Sequence, residues 1–343
     1  MNAADHEVPA AESPLPPSPP FRDRGTAILL MGLLVVLIGL GCLGMVALVA
    51  VGIGAAAALA PGQATPFRTT LPAMSLYLML AAFFIAAGIG AARLRRWARA
   101  LLAVTSWIWL ACGAFAMIIV VAILPQIKAS MESAGPPGSP APPAGLVVGC
   151  MLGVMIALYV ALPLPLALFW SGKNVRATFL ARDRPRWTDR FPAPLLGLFL
   201  ILVFCVVTAI QLPLYGAVPA FGKLLSGGAV WAFALIFAGV AGAGAWWVWQ
   251  RSILGWWATV ALWLFGTIST IWTFAGGFDW NAYYVQMGMS PEQIRMSEGL
   301  SPAALFANPF VIGSMALAWL GIGAALFWTR RFFEPPTLLT EAV

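Results

Sequence analysis

Eight apolar runs separated by short polar segments set the layout of the chain: Thr26–Ala60, Ala73–Ala92, Leu101–Leu124, Gly145–Trp170, Ala193–Gly216, Ala229–Trp249, Ser252–Phe274 and Pro309–Thr329. None contains a charged residue and each has at least 20 residues, the length an α-helix needs to cross a hydrocarbon core of about 30 Å. A lipid-exposed backbone must satisfy its own hydrogen bonds, so runs of this kind predict helices. The expected fold is all-α, a polytopic membrane bundle of eight transmembrane helices.

Details within the runs refine this. The first, 35 residues long, exceeds what even a tilted helix needs, so part of it must leave the lipid. Ala58-Leu59-Ala60 imitates a signal cleavage site, but the run far exceeds the apolar core of a signal peptide, and an uncleaved first helix is expected. Pro163 and Pro165 remove helix donors and should kink or loosen the last third of the fourth run. The fifth is interrupted near Gln211 and Pro213, and a loop holding Lys223 follows. Gln250 and Arg251 join the sixth and seventh runs so tightly that a helical hairpin must form. The Pro/Gly/Ser-rich stretch from Pro125 to Ala144 reads as a loop.

These boundaries give five regions. Residues 1–25 form a Pro-rich tail of the composition that stays disordered. Residues 26–170 form a first four-helix half, 171–192 a basic linker, 193–329 a second four-helix half, and 330–343 a C-terminal tail. The linker, WSGKNVRATFLARDRPRWTDRFP with its flanks, holds six of the nineteen basic residues.

Composition supports the membrane reading, with 61% hydrophobic and only 9% charged residues. The net charge of +7 sits in short segments between apolar runs, where the positive-inside rule accounts for it without nucleic acid. With a cytoplasmic N-terminus, fifteen Lys/Arg fall on the cytoplasmic side, and only Arg68, Lys128, Lys223 and Arg295 fall outside. Both termini are therefore expected in the cytoplasm. Trp97, Trp170, Trp187, Trp246, Trp247, Trp249, Trp256, Trp257 and Trp328 fall near predicted cytoplasmic ends, as an interfacial aromatic belt would. A stacking platform for a base or quinone is the sharper alternative for WWVWQRSILGWW. Cys42, Cys112, Cys150 and Cys205 all lie inside apolar runs without a CxxC pair, and read as small core residues.

Shifting the chain by 154 residues superposes eight identical residues in 28 positions, among them Gly88 on Gly242, Gly90 on Gly244 and Thr105 on Thr259; about three would arise by chance. A 4+4 internal repeat of parallel halves is expected. Small residues at fourfold spacing, Ala82, Ala86 and Gly90 and again Ala234, Ala238 and Gly242, should let neighbouring helices approach.

Candidate chemistry is sparse. No Asp, Glu or His lies within an apolar run, which argues against proton-coupled pumping, a buried catalytic base, and haem or metal held in the bundle. No catalytic set, cofactor motif or metal set is present. Arg93, Arg95, Arg96, Arg99, Arg182, Arg184, Arg186 and Arg190 are candidate contacts for anionic lipid head groups. In the linker, Asp183 and Asp189 lie among these arginines, a pattern that fits local ion pairing or, more sharply, a phosphate or nucleotide site. On the opposite side Asp279, Trp280, Tyr283, Tyr284, Glu292 and Arg295 form a candidate outer-loop contact, with helix starts expected at Ser290-Pro291 and Ser301-Pro302. A cap over the bundle is the simpler reading.

FWSGKNVRATFLARDRPRWTDRFPAP together with GIGAARLRRWARALL resembles uncharacterised bacterial multi-pass inner-membrane proteins of the domain-of-unknown-function type, in which a basic RWTDR-P loop joins apolar halves. The resemblance covers about 50 residues and implies an inner-membrane location; it implies no activity or substrate. The expected function is that of a non-enzymatic integral membrane protein acting through anionic lipids or through protein partners. A permease for a neutral or apolar solute is the alternative, and a lipid-modifying enzyme comes third. If a solute path exists, Thr105, Ser106, Gln211, Thr259, Thr267, Ser269 and Thr270 should line it, with Thr105 facing Thr259 across a central seam. The expectation is a closed seam, with these groups satisfied by neighbours or their own backbone.

Overall fold

A computed structural model describes residues 22–59, 67–134, 144–185, 187–289, 291, 294 and 308–333. The Pro-rich tail up to residue 21, the expected starts at Ser290 and Ser301, and the last ten residues lie outside the described residues.

Helices account for nearly all of the structure. They are α1 (Gly25–Leu59), α2 (Phe67–Ala92), α3 (Arg96–Ala134), α4 (Ala144–Ile156), α5 (Pro163–Ser171), α6 (Lys173–Arg182), α7 (Ala193–Gln211), α8 (Gly228–Trp249), α9 (Ile253–Ala275), α10 (Trp280–Gln286) and α11 (Pro309–Thr329). Eight spans among the described residues are long and apolar enough to cross a membrane, α4 and α5 together making the fourth. The chain is built as a multi-pass membrane protein. Because the spans alternate in direction, one end of the bundle carries the basic linker; the other carries a short β-hairpin.

α1 and α2 form the most extensive helix pair. Gly32 lies opposite Gly88 and Gly39 opposite Ala81, so closely that a Cβ on Gly88 would stand 2.8 Å from the Gly32 carbonyl oxygen and one on Gly39 3.0 Å from that of Ala81. This sevenfold spacing of small residues is the antiparallel counterpart of a knobs-into-holes seam. It corrects the fourfold stripe expected for α2: Ala82 and Ala86 face outward, and only Gly90 of that set is buried, against Trp97 and Ala98. In α8, Ala234 is buried, while Ala238 and Gly242 are half-buried.

α3 runs 39 residues, straight through Pro125 and into the stretch expected to be a loop. Beyond it, Asn308 at the start of α11 donates from Nδ2 to the Ala122 carbonyl, 3.3 Å away, holding this end of α3 to the second half. The fourth span breaks where its prolines predict. A π-helical turn, Ala157–Ala161, precedes Pro163, and Leu162 donates its N–H back five residues to Ala157. Pro163 has no N–H for the Tyr159 carbonyl, and Gly113 of α3 packs onto it: a Cβ there would lie 2.6 Å from that oxygen.

The loop at Lys223 is an antiparallel hairpin, β1 (Ala217–Ala220) and β2 (Lys223–Ser226), with Ala220 opposite Lys223. Its two-residue turn has positive φ at Phe221 (50°) and Gly222 (71°), a type I′ geometry. Both turn amides reach hydroxyls of α9, Phe221 N–H donating to Ser269 Oγ (3.2 Å) and Gly222 N–H to Thr273 Oγ1 (3.1 Å). Phe221 packs edge-on against Phe265.

Two cores fill the bundle at its linker end. One gathers Ile28, Val35, Phe84, Ala91, Leu102, Trp170 and Phe179; the other gathers Leu195, Leu202, Val248, Trp256 and Leu326. Leu101 and Val104 of α3 pack with Leu196 of α7 between them. Trp170 and Trp256 are thus core residues and not part of an interfacial belt; Trp256 donates from Nε1 to the Leu326 carbonyl at 2.8 Å. Trp246, Trp249, Trp257 and Trp328 remain exposed, as a belt requires.

α3 meets α7 and α11 of the second half more than α9, so Thr105 and Thr259 do not face one another across a seam between closely packed helices. Thr259 and Thr267 donate to carbonyls of their own helix, at 2.8 and 2.7 Å. The Gln211 side chain makes no hydrogen bond with a described residue, contrary to expectation. α5 packs closely on α3, whereas the corresponding α11 touches α9 only lightly. The turns closing α2 and α8 place Leu94 and Arg251 in left-handed conformation, 157 residues apart and not 154.

Candidate functional site

Charge concentrates at the linker end, and the linker itself organises it. α6 buries Val175, Thr178 and Phe179 against the first half, setting Phe179 near Trp170. Its neighbours are the start of α1 and the turn between α2 and α3. Thr178 Oγ1 accepts from the Arg24 N–H at 3.1 Å and donates to the Asn174 carbonyl at 2.9 Å. Asp23 accepts from the Gly25 N–H at 3.0 Å and pairs with Arg182. One end of α1 is therefore tied to the linker.

Asp183 fastens the next element. Its Oδ2 accepts from the backbone N–H of Arg96 at 3.0 Å, satisfying an orphan donor in the first turn of α3, and its Oδ1 takes Arg95 at 3.3 Å. The Asp183 side chain is only 7% exposed, so loss of either partner would leave charge in a dry setting. Arg96 reaches further, donating from Nη2 to the Leu180 carbonyl (2.7 Å) and from Nη1 to Asp189 (3.4 Å), while its Nε is buried without a partner. Arg99 reaches the Trp170 carbonyl at 3.4 Å. The result is a clamp through which the linker grips both the chain's entry into α1 and the turn into α3.

The expected lipid-contact arginines consequently divide. Arg95, Arg96 and Arg182 hold carboxylates, and Arg99 holds a carbonyl. Arg93 and Arg184 are exposed and make no ion pair with a described residue. Arg190 ends the 3₁₀ turn Trp187–Arg190, and Arg186 lies outside the described residues.

On the second-half side of the clamp, Trp187, Asp189 and Phe191 face Trp249, Gln250 and Arg251 across an open cleft of about 590 Å³. Trp249 touches both Trp187 (5.0 Å between centroids) and Phe191 (5.2 Å), and the Arg251 guanidinium sits 5.7 Å above the Phe191 ring. The WWVWQRSILGWW stretch, which the sequence offers as a belt or a stacking platform, supplies Trp249, Gln250 and Arg251 to this cleft. The partner from the linker, Asp189, is some sixty residues away in sequence and carried no local signal.

At the hairpin end, Asp279 accepts from the Ala282 N–H at 3.0 Å and so caps α10. Phe274, Phe278, Trp280 and Tyr283 pack ring on ring, and Tyr284 joins Tyr283. Burial pushes both tyrosine hydroxyls above their ordinary pKa, and for Tyr283 the nearby Tyr215 and Tyr284 add to it. Phe278, Trp280, Tyr283 and Tyr284 thus form an aromatic cluster against Phe274 at the end of α9. Glu292 and Arg295 lie outside the described residues. Among the described residues no three His, Cys, Asp or Glu gather as metal ligands. No family model, curated protein or solved structure matches the chain.

Proposed function

We propose that the protein is a non-enzymatic multi-pass protein of a bacterial inner membrane, with both termini cytoplasmic, whose basic end engages anionic lipid head groups. The observation that carries this reading is the division of arginines at the linker end. Internal carboxylates hold Arg95, Arg96 and Arg182, while Arg93, Arg184 and Arg251, at the same end of the bundle, pair with no carboxylate of a described residue. Each such residue near an anionic surface contributes about 1 kcal/mol, within a Debye length. Protein partners docking on the same clamp are the second route by which such an end would act.

The test is the melting temperature of the reconstituted full chain in nanodiscs of phosphatidylglycerol and of phosphatidylcholine. The wild type should gain stability in the anionic lipid, the gain should shrink with salt, and the double variant R93Q/R184Q should lose part of it. Equal stability in the two lipids would end this proposal.

A permease for a neutral solute remains the rival reading, favoured by the broken fourth span with its Tyr159 carbonyl facing Gly113. The apolar junction of Leu101, Val104 and Leu196 supports a closed seam instead. Proteoliposomes that moved a neutral solute, with transport abolished by Gln211→Leu, would decide for the permease.

A further inference from the structure

The turn between α8 and α9 contains a local conflict. Ser252 N–H bonds back to the Trp247 carbonyl and Arg251 N–H to that of Val248, both at 2.9 Å, the paired bonds of a Schellman helix end. The first of these two donors along the chain must be left-handed and is ordinarily glycine; here it is Arg251, with φ of 55°. An arginine strained in this way gains nothing for the turn. Leu94 closes α2 in the same left-handed way, so what sets this turn apart is the side chain, whose guanidinium lies over Phe191 at the mouth of the cleft.

The cleft is rich in donors. Arg251 has no carboxylate partner among the described residues, and neither the Gln250 amide nor the indole N–H groups of Trp187 and Trp249 bond to a described residue. Its one acid, Asp189, is engaged by Arg96. Three aromatic rings form the walls, and Trp246, Ile253, Leu254 and Trp257, in the last turn of α8 and the first turns of α9, are exposed apolar side chains close to the cleft in sequence. A cation with neutral donors and aromatic walls, flanked in sequence by exposed apolar side chains, fits an anionic head with hydrocarbon attached.

We propose that this cleft binds one phospholipid of the linker-side leaflet by its phosphodiester. Arg251 donates to the phosphate oxygens, and the acyl chains lie along Trp246, Leu254 and Trp257. The proposal rests on the membrane reading above and adds a single, saturable site to it.

Native mass spectrometry of the full chain in detergent, titrated with phosphatidylglycerol, tests it. The wild type should retain one tightly held lipid. R251Q should weaken that site about tenfold or more, and K173Q, an exposed cation at the start of α6 and outside the cleft, should leave it unchanged. R251G separates ligand from scaffold: relief of the left-handed strain should hold or raise the lipid-free melting temperature while the tight lipid is lost. Millimolar inorganic phosphate should not displace the lipid; if it does, the site serves a free anion and the assignment to a phospholipid is overturned. Equal lipid retention by R251Q and K173Q would overturn the cleft itself. If wild-type stability still depends on anionic lipid and R93Q/R184Q alone diminishes it, only the cleft falls; if the wild type shows no such dependence, the broader reading falls with it.

Discussion

Replacing Gly88 by alanine is the sharpest test of how the first two spans hold together. An added Cβ would meet Val36 Cγ2 at 2.7 Å and both the Gly32 oxygen and the Val36 nitrogen at 2.8 Å, where ordinary contact begins near 3.4 Å. Two of the three atoms are backbone and cannot rotate away, so α1 and α2 must part by about 0.6 Å, the kind of overpacking that costs about 1–3 kcal/mol. Alanine also gains about 1 kcal/mol of helix propensity over glycine. Gly41 supplies the control, because nothing lies within 4 Å of its added Cβ. Since propensity cancels between the two variants, Gly88→Ala should be less stable than Gly41→Ala by about 1–3 kcal/mol. Equilibrium unfolding of the purified full chain in mixed micelles measures the difference. Equal stability would refute the close packing of α1 on α2.

Three further outcomes follow from the same contacts. Asp183→Ala leaves the part-buried Arg96 N–H without its acceptor, while the half-exposed Arg95 guanidinium can turn to solvent, and should cost about 1–3 kcal/mol by the same unfolding measurement. The double variant S269A/T273V removes both acceptors for the hairpin turn, and hydrogen exchange at Phe221 and Gly222 should accelerate while exchange within α1 stays unchanged. Tyr283 is held neutral by burial, so in a spectrophotometric titration it should ionise later than an exposed tyrosine, and Tyr283→Phe should remove that late component. Because its folded pKa is raised, its stabilising contribution is full below the unfolded pKa of about 10 and lost as pH rises through the folded value.

The number and order of spans were legible because long uncharged runs have few physical alternatives in lipid. The break before Pro163 and the tight turn at Gln250-Arg251 were legible for similar reasons: each depends on a residue's own backbone chemistry. The buried face of α2 was not. Lipid is as apolar as a protein core, so Ala82, facing outward, and Ala81, facing Gly39, look alike in sequence. The hairpin escaped because its turn is Phe-Gly and not Asn-Gly, and its caps are hydroxyls 48 and 51 residues away. Pro125 suggested a boundary, yet α3 continues through it. The clamp and the aromatic cleft depend on contacts between distant elements, such as Arg24 with Thr178 at a separation of 154 residues, which no local pattern announces.

Orientation is the claim on which every assignment of the basic end depends. In a chain carrying C42A, C112A, C150A and C205A, single cysteines at Ser226 on the hairpin and Arg184 in the linker, both exposed, report the two faces. A membrane-impermeant maleimide applied to intact spheroplasts should label the Ser226→Cys protein at once and the Arg184→Cys protein only after permeabilisation. Labelling of Arg184→Cys from outside, with Ser226→Cys protected until the membrane is opened, would contradict the account.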